Sequence, residues 1–105
     1  MIPAAECGSM TALREQIDAL DARIVSLLAL RAGYIDRAAE LKPAAGMPAR
    51  IDERVEDVVA KVRAHALAEG LDPDLVEVLW RHLIDWSIAR EEAVLGPGAP
   101  KEGKR

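Results

Sequence analysis

Phenylalanine is absent from this 105-residue chain, and Tyr34, Trp80 and Trp86 are its only aromatic side chains. Any core must therefore be assembled from Ala, Leu, Val and Ile. The alternating β-branched pattern of strands is almost missing, while the strong helix formers Ala, Leu, Glu and Arg are abundant, so a sheet protein is excluded and the chain reads as all-α. One cysteine, Cys7, leaves no internal disulfide to form, and the cytoplasm is the expected compartment. Basic residues are too few for a nucleic-acid binder: 14 Lys and Arg stand against 18 Asp and Glu. No apolar run reaches the roughly 18 residues of a membrane span, and MIPAAECGSM lacks the basic and apolar regions of a signal peptide. Neither nucleic acid nor membrane is expected as a partner.

The remaining pattern describes one modest domain. Residues 1–9, with Pro3 and Gly8, read as a flexible lead. From Ser9 or Thr11, either a candidate cap, Leu13, Ile17, Leu20, Ile24, Leu27, Arg31, Tyr34, Ala38 and Leu41 follow a 4-3 spacing. That is a coiled-coil type of seam, expected to stop at Pro43. Pro43, Gly46 and Pro48 mark a loop. A second helix is expected from about Asp52 to Glu69, with Val55, Val58, Val59, Val62 and Ala66 on its apolar side and Gly70 closing it. Asp72 and Pro73 cap and open a third, whose apolar face includes Leu75, Val76, Leu79, Trp80, Leu83 and Ile84. The helical domain thus spans residues 10–95, and the tail 96–105, GPGAPKEGKR, reads as disordered.

Size turns this pattern into an assembly. A helix over residues 11–42 would be roughly 48 Å long at 1.5 Å per residue, whereas a compact 100-residue domain has a radius of gyration of only about 13 Å. Two shorter helices cannot cover that seam. A second copy of the same helix can, through a two-fold interface, so an intertwined homodimer is expected. A monomeric bundle with a protruding helix is the competing arrangement.

The seam has one discordant member. Arg31 stands where its heptad neighbours Ile24 and Ala38 are apolar, so it must either snorkel to solvent or meet an anion. Arg14 and Lys42 flank the same stripe four heptads apart. Lys42 follows Arg31 by 11 residues, close to three turns, which puts their Cα atoms about 16 Å apart on one face. Arg50 and Arg54 lie where the second helix begins and its dipole favours anions. Several cations converging within an acidic chain suggest a compact anionic ligand held in part by bidentate guanidinium contacts. On the third helix the apolar stripe continues through Ser87 and Glu91, one turn apart. Glu91 belongs to the run AREEA, so it is either a solvated surface residue or a site residue.

Taken in order, LREQIDALDARIVSLLALR, AAELK, ERV, GLDPDLVEVLW and LIDWSIAREE resemble the all-helical class of chorismate mutases over residues 13–91. Tyr34 after the seam arginine, the ERV triplet and WSIA are similar to the isochorismate-pyruvate lyase branch of that class. The resemblance implies three-helix chains in an intertwined two-fold dimer with two equivalent sites. It implies that Arg14 reaches in from the partner chain, while Arg31, Lys42 and Arg54 come from the home chain. Together these would hold the two carboxylates of the substrate, with Lys42 also near its ether oxygen. Ser87 matches a polar side chain lining the site, and Glu91 matches a glutamine that donates a hydrogen bond to that oxygen. Lys42, Glu91 and Arg31 are thus the candidate catalytic residues.

The reactions so implied are the rearrangement of chorismate to prephenate or the elimination that turns isochorismate into salicylate and pyruvate. Both can proceed as concerted pericyclic steps without nucleophile, metal or cofactor, and none is expected. His65 and His82 are single histidines on different helices and read as structural. Cys7 lacks an ordered setting for a nucleophile, and Trp80 and Trp86 read as core or interface. Ile51 and Val55 fall where many mutases carry an Asp and a Glu, a departure that favours lyase or dual activity. Glu91 in place of glutamine can donate only when protonated, so turnover should favour acid pH. A non-catalytic helical dimerisation module, a mutase for an amino-substituted chorismate and a small-anion sensor are the remaining alternatives. Arg31 bears on the first of these, because a pure dimer seam would accept leucine there.

Overall fold

Ser9 ends the lead and starts the first helix. Its Oγ accepts the Ala12 N–H at 3.1 Å and its carbonyl accepts the Leu13 N–H at 3.0 Å, satisfying donors that a helix start leaves open. The computed structural model describes residues 1–96. It contains α1 (Met10–Ala45), α2 (Asp52–Ala68) and α3 (Pro73–Leu95), preceded by a 3-10 turn at Ala4–Glu6. Among the described residues there is no strand, so the all-helical class expected from composition is the class observed. Residues 97–105 of the tail expected to be disordered lie outside the described residues. The chain divides into two units, the first of which is residues 1–34.

In the first unit the lead has more local structure than its composition suggests. The Glu6 and Cys7 N–H groups close the turn onto the Pro3 and Ala4 carbonyls, and the Ile2 N–H donates to Gln16 Oε1 at 3.0 Å. Ile2, Pro3 and Cys7 line an apolar groove with Leu13, Ile17 and Leu20. Beyond it the seam is open: Ile24 is 52% exposed, Leu27 64% and Tyr34 72%.

The second unit begins at Ile35 and is built around α2 and α3. The Arg54 and Val55 N–H groups both reach the Ile51 carbonyl, and Asp52 and Glu53 place negative charge at the positive end of the α2 dipole. The helix ends in a Schellman closure. The Leu71 N–H donates to the Ala66 carbonyl at 2.8 Å and the Gly70 N–H to the Leu67 carbonyl at 3.2 Å, with Gly70 at φ +73°. The Asp72 carboxylate then accepts the Asp74 N–H at 2.9 Å and Pro73 opens α3. Val55 and Val59 meet Ile84, Ile88 and Ala49 in the core, with Val58, Trp80 and Leu95 packed against it. Partly exposed ion pairs also tie the two helices. Arg81 donates to Glu77 at 2.8 Å and to both oxygens of Glu56, and Arg63 to Asp74 at 3.0 Å and Glu77 at 2.8 Å.

Two local expectations are corrected. α1 does not stop at Pro43 but runs to Ala45. The proline removes one backbone donor, a loss confined to the final turn, and a second Schellman closure follows it. There the Met47 N–H donates to the Lys42 carbonyl at 2.9 Å and the Gly46 N–H to the Pro43 carbonyl at 3.1 Å, with Gly46 at φ +71°. Leu75 and Leu79, expected on the apolar face of α3, are exposed, whereas Val76 and Ile84 are buried. The apolar stripe of α3 is wider than one partner helix covers.

Candidate functional site

Burial of polar side chains singles out one place in the second unit. Ser87 and Glu91 are each 4% exposed, and they are the buried polar residues among those described. They lie one turn apart on α3, and Lys42, in the last turn of α1, meets the second of them. The Lys42 ammonium donates to Glu91 Oε1 at 2.6 Å and to the Ala49 carbonyl at 2.7 Å. Ser87 Oγ donates to the Leu83 carbonyl at 2.8 Å. The closure at the end of α1 serves this arrangement, because the Gly46 turn brings Ala49 back within reach of the lysine that precedes it. A charge pair out of water is stable only when its remaining polar atoms are also satisfied, and no described side-chain N or O is buried without a partner.

An ammonium has three hydrogens, of which Ala49 and Glu91 take two. The third is available to an anion. The arrangement can thus offer one charge-assisted hydrogen bond from a held cation next to a buried carboxyl group, which suits binding and electrostatic stabilisation rather than nucleophilic attack. Among the described residues no group of three His, Cys, Asp or Glu side chains could hold a metal. No described helix is long and apolar enough to cross a membrane.

The other candidates are placed as follows. Arg14 and Arg31 belong to the first unit, Arg14 exposed and Arg31 partly buried. Arg54 is exposed, and its guanidinium donates to Asp57 Oδ2 at 2.7 Å, three residues along α2. The structure therefore groups Lys42, Ser87 and Glu91 and leaves Arg54 engaged on the surface. Arg50 pairs with Asp85 of α3 at 3.0 Å. A second ion pair joins the end of α1 to α3: Arg90 donates to both carboxylate oxygens of Asp36, at 2.5 and 3.0 Å, and its guanidinium carbon lies 5.3 Å from the centre of the Trp86 ring. The hydrogen bond from Arg90 holds the Asp36 carboxyl below the usual carboxylate range. Sequence reasoning missed this pair and the Ala49 carbonyl, since neither contact leaves a spacing signal.

Residues 13–92 match the family of chorismate mutase type II proteins. The chain belongs to that family. The resemblance read from its motifs thus holds over nearly the whole described chain. This member of the chorismate mutase type II family is 37% identical over 84 residues to the T-protein of Enterobacter agglomerans, an alignment covering 80% of this chain and 22% of that protein. It spans about a fifth of that relative's length. It is 34% identical over 87 residues to the isochorismate pyruvate lyase of Pseudomonas aeruginosa, covering 82% of this chain and 84% of that enzyme.

Proposed function

We propose that the protein is a pericyclic enzyme of chorismate metabolism, converting chorismate to prephenate. The observation that carries this reading is the Lys42–Glu91 pair, with its carboxyl buried, beside Ser87, a held cation with one free hydrogen in a chain whose family acts on a dicarboxylate. In the rearrangement the ether C–O bond breaks as a C–C bond forms, and no proton needs to move. Holding the flexible dianion in a compact conformer lowers the barrier. A cation at the ether oxygen stabilises the charge developing there as the bond stretches. Lys42 supplies that cation. Glu91, when protonated, donates a second hydrogen bond to the same oxygen.

The complete site is proposed to need two chains. Ile24, Leu27, Leu30 and Tyr34 are exposed along α1, and a second copy covers them in a homodimer. Arg14 of the partner chain then joins Arg31, Lys42 and Arg54 of the home chain around the two substrate carboxylates, and Ser87 lines the site. In this complex Arg54 exchanges its surface partner Asp57 for the substrate.

Isochorismate elimination to salicylate and pyruvate is the second reading. Val55, which follows Arg54 at a position where many mutases carry a carboxylate, favours it, as does the likeness to a lyase over 84% of that enzyme's length. Incubation of the purified protein with each substrate separately tests both. Prephenate from chorismate supports the first reading, and salicylate with pyruvate from isochorismate supports the second. No turnover of either substrate refutes both.

A further inference from the structure

The apolar cluster of Ala49, Val55, Val59, Ile84 and Ile88 draws its side chains from the 46–51 loop, α2 and α3. Ala39 is the one buried residue of α1 among those described, and its side chain is a single methyl group. What fixes the end of α1 on α3 is therefore largely polar: Lys42–Glu91 and, six residues earlier on α1 and one residue earlier on α3, Asp36–Arg90. The two pairs differ in what an anionic substrate does to them. Lys42 belongs to the proposed site, so a carboxylate or an ether oxygen bound at its third hydrogen weakens its hold on Glu91. Asp36–Arg90 keeps a two-point, fork-to-fork geometry, and the Trp86 face backs the guanidinium.

We propose that the Asp36–Arg90 pair is a positioning latch, which keeps the Glu91 face of α3 against the Lys42 turn of α1 while bound substrate weakens the hold of the ammonium on Glu91. This rests on the enzymatic reading above. Arg90 and Asp36 touch no reacting atom; they act through the residues beside them. Arg90 immediately precedes Glu91, so a change in how Arg90 is held passes directly into the backbone that carries Glu91. The Asp36 carboxyl, held below its usual range by Arg90, remains charged wherever an ordinary carboxylate does, so the latch stays shut at neutral pH. Both side chains are about half exposed. A bland surface pair of that kind would contribute little to stability and nothing to turnover, which is the outcome the latch must beat.

Asp36→Asn and Arg90→Gln should each lower kcat about tenfold, since small displacements of a catalytic group are costly. KM should stay within about twofold, because the substrate-binding cations are untouched, and Tm within about 3 °C. The exchanged pair, Asp36→Arg with Arg90→Asp, should recover most of the lost kcat. Single variants with parental kcat, or an exchanged pair no better than the singles, would overturn the latch. So would loss of folding in both singles, which would make the pair a structural one. A second measurement needs no turnover: the carboxyl carbon resonance of Glu91, assigned with Glu91→Gln, should move in Asp36→Asn and return in the exchanged pair. An unmoved resonance refutes the latch whatever the substrate. Turnover by the parent in the same assay tests the underlying reading separately.

Discussion

The α2–α3 pair and the first 34 residues solve the same problem in opposite ways. Val55, Val59, Ile84 and Ile88 find their cover within the chain, and partly exposed arginine–carboxylate pairs tie the same two helices. Along α1 the row Ile24, Leu27, Leu30 stays open to solvent, although its spacing is at least as regular as that of α2. Periodicity thus says that a face must be covered and leaves open by what. An apolar face on a helix hairpin finds its partner next door, whereas the open face of α1 is proposed to find it on a second copy of the chain.

The contrast is broken most severely at the site. If the open stretch of one chain completes the packed unit of another, Arg14→Ala and Lys42→Ala should each lose at least about a hundredfold in turnover. Mixed and allowed to exchange, they should regain about a quarter of parental activity, because one of the two sites in each heterodimer carries neither lesion. Demonstrated exchange without recovery would sink the shared site.

Next in size, charge can be placed on each apolar face. Leu27→Asp should give a monomeric mass by light scattering while α2 and α3 persist, and Val59→Asp, at a position 4% exposed, should unfold the chain by circular dichroism. A dimeric Leu27→Asp protein would refute the proposed interface.

A smaller effect is expected inside the packed unit. Parental activity should favour acid pH, since Glu91 donates only when protonated. Glu91→Gln should flatten that limb and retain activity toward neutrality. Identical profiles would remove Glu91 from the reacting atoms.

Smallest of all is Arg81→Ala. Hydrogen bonds from Arg81 are the foremost cause holding the Glu56 and Glu77 carboxyls below their usual range. A carboxyl lowered in the folded state contributes stability above the ordinary carboxylate range and loses it as pH falls through its folded value. The variant should therefore melt within about 2 °C of the parent at neutral pH and show a slightly shallower decline in acid. A larger drop would mean that surface ion pairs, rather than the core, hold α2 to α3.

Local signals made much of the fold legible. The capping Ser9, the left-handed Gly70 and the Asp72–Pro73 start act within a few residues, and each stands where its chemistry demands. Pro43 misled because a proline near a helix end costs one hydrogen bond and need not be the last residue. The members of the Lys42, Ser87 and Glu91 cluster stood out in the sequence, and their contacts did not. Lys42 stood out as a cation flanking the α1 seam and Glu91 as a polar residue on the stripe of α3, but they are 49 positions apart, and no periodicity spans a loop and a hairpin. Asp57, three residues beyond Arg54 on a helix, was a readable surface partner for it. Asp36 and Arg90 sit in ordinary solvated-looking runs, AGYIDRAAE and SIAREEA, where nothing distinguishes a latch from a surface charge.

Lys42 is fastened at both ends. Its carbonyl accepts the Met47 N–H that closes α1, and its ammonium reaches across the same turn to the Ala49 carbonyl. A lysine free in solution samples many rotamers, and fixing one costs about 1.5–2 kcal/mol in conformational entropy. Here that freedom is surrendered when the chain folds rather than when an anion arrives. An anion bound at the proposed site would therefore meet a side chain that no longer needs ordering, and the turn at Gly46 would contribute to its affinity.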